Sequence, residues 1–268
     1  MTSNVMRTAF LTLTLALVSG PALAAKCGNG AGGFNSWLGQ YKKEARKRGI
    51  SQKTLNRAFK GVSYDKRVIR LDRSQKSFKL SFAQFYKRRA AGLIGRARSK
   101  LKQNAGLLKR IEKRFGVPGP ILVSIWGLET GFGANSGRMN VVRSLATLSY
   151  DCRRTKFFTR NLNAALKIIQ RGDMSPGQMR GAWAGELGQT QFMAHSYVRF
   201  AVDFDGNGRR DLVRSKADVL ASTANYLRGH GWKRGGSWGP GTHNHNVLRK
   251  WNKAGVYRKT IAKMASAL

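Results

Sequence analysis

From Ile121 to Leu128 the chain reads Ile-Leu-Val-Ser-Ile-Trp-Gly-Leu without a charge, and Glu129 closes the run, in a protein with 50 basic and 12 acidic residues. A helix that is apolar all round is buried, with neighbours on every side. The stretch therefore predicts a central helix with one carboxyl group at its end. Burial disfavours the charged form of a carboxyl and raises its pKa, which is what a general acid needs near neutral pH. Gly131 and Gly133 follow, where backbone can turn sharply and a ligand can approach closely.

The rest of the chain reads as mostly α-helical. Helical spacing runs over Phe34 to Phe59, with a break at Gly49 and a new start at Ser51, and over Val68 to Phe85 through Leu71, Phe78 and Phe82. Ala90 to Phe115 predicts one or two basic helices. Leu145 to Ile169 predicts two more and Ala217 to Leu227 another, with a basic helical pair over Val247 to Leu268. Strand signals are few, so β-structure is expected only as short hairpins near the site. His243 and His245 stand one residue apart but lack further ligands at metal spacing, so Gly235 to His245 reads as a solvated loop.

Arg7, the apolar Ala9 to Val18 and the small-x-small Ala22-Leu23-Ala24 fit a signal peptide over residues 1–24. Lys26 before Cys27 breaks the pattern of a lipidated cysteine. The mature chain, Ala25 to Leu268, is expected to be exported, periplasmic or secreted, with no transmembrane segment. In an oxidising compartment Cys27 and Cys152 are expected to pair. The formal charge of +38 is spread along the chain and predicts attraction to polyanions. Nucleic acid is one such partner. Anionic cell-envelope polymers are the more available one for an exported protein.

A second dense motif, Gly181-Ala182-Trp183-Ala184-Gly185-Glu186-Leu187-Gly188-Gln189-Thr190-Gln191-Phe192-Met193, combines small residues with amides and aromatic faces. Taken with Ile125 to Gly133, with Ser144 to Leu148, Arg153-Arg154, Phe157-Phe158, Ala201 to Gly206, Asn225 to Leu227 and His230-Gly231-Trp232, the chain resembles the lytic murein transglycosylases of the membrane-bound transglycosylase B type. Leu71 to Gln75 with Phe78 and Phe82 fits the same pattern.

The resemblance implies a mainly α, lysozyme-like (α+β) catalytic domain over 25–268: a helical N-terminal part (25–115), a catalytic core (116–232) and a C-terminal helical part (233–268). It implies cleavage of the MurNAc–GlcNAc bond of peptidoglycan to 1,6-anhydro-MurNAc ends with no cofactor required, the alternatives being a peptidoglycan-binding protein with weak or no turnover and a muramidase-type hydrolase; a monomer is expected, with no nucleic-acid partner. Glu129 falls on the single catalytic carboxylate, and Gln191, Tyr197 and Tyr226 on cleft-lining positions. Gln189 and Phe192 are further candidates for substrate binding, with core packing the other reading for such side chains. Two positions depart from the family. Ala182 stands where a serine hydroxyl is common, and Glu186 where a small or apolar residue is usual. Glu186 would either pair with an arginine such as Arg180, raise the pKa of Glu129, or serve as a second carboxylate and permit hydrolysis.

Asp203-Phe204-Asp205-Gly206-Asn207-Gly208-Arg209-Arg210-Asp211 has the alternating oxygen spacing of a Ca²⁺ loop, with Asp203, Asp205, Asn207 and Asp211 as candidate ligands. Position twelve is Arg214 rather than Glu, and Asp218 is the available substitute. A tight turn capped by its own Asp side chains is the other reading.

Overall fold

The computed structural model describes residues 26–74 and 80–268, so the expected signal peptide, Gln75 and Phe78 lie outside the described residues. The chain opens with α1 (Phe34–Lys47) and α2 (Gln52–Ala58), the latter capped by Ser51, whose side chain accepts the Thr54 amide. The single helix expected over Val68 to Phe85 is two elements, α3 (Lys66–Arg73) and α4 (Phe82–Arg89). The reason is local: Ser81 and Gln84 form a reciprocal capping box, a start signal inside the periodic stretch. A 3-10 turn at Ala91–Leu93 leads into α5 (Ile94–Gln103), and α6 (Ala105–Phe115) follows after Asn104.

The apolar run is α7 (Gly119–Thr130), entered through Pro118 and Pro120. It packs against α5, α6, α11 (Lys216–Gly229) and α13 (Gly255–Ser266), so each side of it meets a helix. From Ile121 to Thr130 each residue is buried except Glu129, which keeps part of its surface open. The helix ends because Gly131 takes the left-handed conformation (φ 61°). Its amide returns to the Gly127 carbonyl and that of Phe132 to the Trp126 carbonyl, which closes the last turn.

Helices α8 (Val141–Tyr150) and α9 (Thr155–Gln170) pack side by side, and α10 (Ala194–Phe200) lies on α9. The turn between α8 and α9 is fastened twice. Cys152 is disulfide-bonded to Cys27, beside an aromatic cluster of Phe34, Trp37, Tyr64 and Tyr150. Asp72, buried on α3, is ion-paired with Arg73, Arg153 and Arg154, while Arg73 also reaches Asp151 at 2.7 Å.

Among the described residues the β-structure is a meander of four two-residue strands: β1 (Met139–Asn140), β2 (Arg180–Gly181), β3 (Glu186–Leu187) and β4 (Phe192–Met193). Neighbours are antiparallel, with Gly181 opposite Leu187 and Glu186 opposite Met193. Glycine is required at 181, where a Cβ would stand 1.8 Å from the Glu186 carbonyl oxygen. The chain closes with α12 (His243–Trp251) and α13. The stretch read as a loop up to His245 gives way to helix at His243, where the Thr242 side chain accepts the His245 amide. The two imidazoles face the carbonyls of Gly231 and Trp238.

Candidate active site

The C-terminal end of α7 and the β3–β4 hairpin enclose a cavity of about 330 Å³. Glu129 and Glu186 both line it, together with Gln191, Phe192, Tyr226 and Trp251. Met193, Ser196 and Asn252 complete the wall.

Glu129 is held from the far end of the chain. Trp251 Nε1 donates to its Oε1 at 2.9 Å and the Tyr257 hydroxyl donates to the same oxygen at 2.8 Å. An indole N–H can only donate, so Oε1 is the acceptor oxygen and the proton of a neutral Glu129 belongs on Oε2. Burial pushes the Glu129 pKa up. The two hydrogen bonds and Arg89 pull against that, and Glu186, whenever it ionises, adds to it. The Tyr257 hydroxyl is in turn pushed well up by its own burial and by Glu129, which keeps it a donor. In the sequence Trp251 and Tyr257 stand out only as aromatic residues of the basic helical pair over Val247 to Leu268. Aromatic residues on an amphipathic helix give no local sign that their polar tips reach a carboxyl more than a hundred positions away.

Glu186 is carried into the cavity by β3, and the Ala182 amide donates to its carbonyl at 3.1 Å. The pairing with Arg180 is not formed: the Arg180 guanidinium donates to the Gly177 carbonyl. Burial raises the Glu186 pKa, against the opposing pull of nearby backbone amides and of Arg154.

Gln191 holds a left-handed backbone (φ 55°) that non-glycine residues seldom adopt. Its side-chain amide donates to the carbonyls of Gly188 and Ser136, at 2.9 and 3.1 Å, which fixes the side chain on the cavity wall. Phe192, Tyr226 and Trp251 meet edge to face, with centroids 5.1 to 5.8 Å apart. The Tyr226 hydroxyl is spent on the Lys250 carbonyl, so the ring is what it offers the cavity.

Two candidates lie elsewhere. Tyr197 is fully buried, and its hydroxyl donates to the Arg210 carbonyl. Gln189 sits behind the site: its Oε1 accepts from Trp126 Nε1 at 2.9 Å and its Nε2 donates to the Val213 carbonyl at 2.7 Å. Both brace the wall from outside the cavity, because each polar group already has a protein partner.

In the acidic loop, ligand oxygens of Asp203, Asp205 and Asp218 lie within 4.8 Å of one another. Asn207 and Asp211 turn to local work instead. The Asn207 side chain accepts the Arg209 amide, and Asp211 accepts the amides of Val213 and Arg214 and pairs with the Arg214 side chain.

A helical body, a short antiparallel meander and a buried acid at their junction define a lysozyme-like fold. A family model described as the Transglycosylase SLT domain matches residues 33–241, and the chain belongs to that family. It is 38% identical over 129 residues to membrane-bound lytic murein transglycosylase B of Escherichia coli (strain K12). That match spans 48% of this chain and 36% of the relative's length. The crystal structure of SltB3 from Pseudomonas aeruginosa in complex with NAG-NAM-pentapeptide superposes with a TM-score of 0.83 at 32% identity, covering 87% of this chain and 78% of that one. Escherichia coli Slt35 in complex with calcium shares the fold, with a TM-score of 0.76 at 22% identity over 92% of this chain and 96% of that one.

Proposed function

We propose that this chain is a peptidoglycan lytic transglycosylase that cleaves the MurNAc–GlcNAc bond and leaves 1,6-anhydro-MurNAc ends, with Glu129 as acid and then base. The observation that carries the reading is the state of Glu129: a carboxyl whose pKa burial has raised, lining the cavity, with Oε1 saturated by Trp251 and Tyr257. Oε2 then presents the proton to the glycosidic oxygen. As the bond breaks, charge develops on the carboxylate, and hydrogen bonds to a charged group are about twice as strong as neutral ones. The two donors therefore stabilise the transition state more than the ground state.

The positive charge developing at C1 of MurNAc is met by the sugar's own N-acetyl group. Glu129, now a base, takes the proton of the C6 hydroxyl as that oxygen closes onto C1. No water attacks, so the second carboxylate of ordinary glycosidases is dispensable. Tyr226 and Trp251, backed by the buried Phe192, supply the ring surface against which sugars pack, and Gln191 Oε1 supplies an acceptor on the wall. The SltB3 complex with NAG-NAM-pentapeptide supports this substrate class.

The same reading makes the chain an exported monomer that needs no cofactor, attracted to the anionic envelope by its charge. No helix of the described residues is long and apolar enough to cross a membrane. Ca²⁺ in the acidic loop would be structural, held by Asp203, Asp205 and Asp218, and would screen three converging carboxylates.

Mass spectrometry of muropeptides released from purified peptidoglycan tests the assignment. The protein is expected to release products one water lighter than reducing ends. Glu129→Gln is expected to lose about 10²- to 10⁴-fold of that activity. Reducing ends, or an active Glu129→Gln, would overturn it.

A further inference from the structure

Glu186 is the acidic side chain of the cavity that this chemistry leaves unused. It borders two spaces at once: the cavity of Glu129 and an adjoining groove of about 310 Å³ lined by Arg153, Arg154, Phe157 and Trp183. Its Oε2 is shut off from solvent and meets no hydrogen-bond partner among the described residues, which leaves Oε1 as the oxygen open to the cavity and the place from which a proton can be offered to a ligand. The cation that acts on it, Arg154, is committed to Asp72. An ionised carboxylate with a buried, unsatisfied oxygen is costly, whereas the neutral acid carries an O–H that needs only an acceptor. Glu129 and Glu186 face the same cavity without bonding each other, so the space between them is where a saccharide oxygen can accept that hydrogen.

We propose that Glu186 is a second substrate-contacting residue: a neutral carboxylic acid whose O–H donates to an oxygen of the saccharide seated between it and Glu129. This rests on the reading of Glu129 as the acid and extends it. No bond forms or breaks at Glu186. Burial holds the group in its acid form, so it positions sugar and does not activate water. The products remain anhydro ends.

Glu186→Gln, Glu186→Ala and Glu186→Met, assayed on purified peptidoglycan, separate the alternatives. Gln keeps a donor and is expected to stay within about threefold of wild type. Ala and Met lack one and are expected to lose roughly 10- to 100-fold in kcat/KM, the size of a buried hydrogen bond to substrate. Met fills the same length of pocket, so a shared loss in Ala and Met reports the missing donor and not a collapsed wall. None of the three variants is expected to unfold at a lower temperature than wild type, because each removes a carboxyl that burial disfavours in its charged form.

The pH profile gives an independent readout. In wild type the alkaline limb contains the ionisation of both carboxyls, and in Glu186→Gln only that of Glu129, so the limb becomes shallower. The other groups facing the pair stay in place: Arg89, Trp251 and Tyr257 around Glu129, and Arg154 and the backbone amides around Glu186. A Glu186→Gln protein as impaired as Glu186→Ala would mean that the charged form is the working one and would overturn the proposal. Wild-type rates in Glu186→Ala and Glu186→Met would also overturn it. An inactive Glu129→Gln beside fully active Glu186 variants would sink this proposal and leave the Glu129 reading standing. A wild-type protein that releases no anhydro ends would sink that reading first.

Discussion

At the scale of single residues, the site turns on two donors sharing one oxygen. Tyr257→Phe and Trp251→Phe each remove one hydrogen bond to Glu129 Oε1. Each is expected to lower kcat roughly 10- to 100-fold, since a bond to a charged group is worth about 1.5–3 kcal/mol. The donors favour the charged form, so their loss raises the Glu129 pKa further, and the alkaline limb of kcat against pH should move upward in both variants. The protonation of Glu129 also makes a stability statement. Its folded pKa lies above the ordinary 4.5, so the folded state binds more protons and stability falls as pH rises from 4.5 through the folded value. Glu129→Gln should therefore be more stable than wild type at pH 7, with the difference vanishing below pH 4.5 in parallel thermal melts. The uncharged run before Glu129 makes that residue legible from sequence. Its partners are not, because Trp251 and Tyr257 look like any aromatic anchors of a helix. Tyr197 and Gln189 mislead for the converse reason: a tyrosine or glutamine beside a motif reads the same whether its polar end meets a ligand or the backbone behind it.

At the scale of elements, the hairpin and the acidic loop are the parts with the least slack. Gly181 abuts the Glu186 carbonyl, so Gly181→Ala must push β2 away from β3 and displace Glu186. A loss of about 1–3 kcal/mol is expected, read as a fall of several degrees in Tm, with activity falling further than stability explains. In the acidic loop, each of Asp203, Asp205 and Asp218 already accepts hydrogen bonds from within the loop. Calcium would add to a turn that is already closed. One millimolar Ca²⁺ is expected to raise Tm by about 2–4 °C relative to EDTA, and Asp203→Ala to abolish that shift. The helices themselves were readable where a period or a cap was strong, as at Ser51 and over α7. The split between α3 and α4 was hidden because apolar spacing continues across it while Ser81 and Gln84 restart the helix.

At the scale of the whole molecule, the disulfide and the net charge act on opposite sides of the stability balance. The Cys27–Cys152 bridge closes 125 positions and contributes on the order of 4–5 kcal/mol in the chain-entropy model. Reduction, or Cys27→Ser with Cys152→Ser, is expected to lower Tm by roughly 10 °C. The charge of +38 opposes compaction and draws the protein to polyanions. Binding to DNA should weaken steeply between 50 and 200 mM salt as condensed counterions cease to drive it. Binding to sacculi should persist, and equal salt sensitivity on both would favour non-specific attraction over recognition of glycan.

The hold of α12 and α13 on Glu129 bears on what limited proteolysis would do to the protein. The acid sits at the end of α7, whereas the two groups that tune it sit on α12 and α13, more than a hundred positions further on. A nascent or clipped polypeptide that stops short of Trp251 would carry the carboxyl without its partners. A protease that cuts between α11 and α12 would therefore remove both donors, and with Trp251 part of the cavity wall, while leaving Glu129 itself in place.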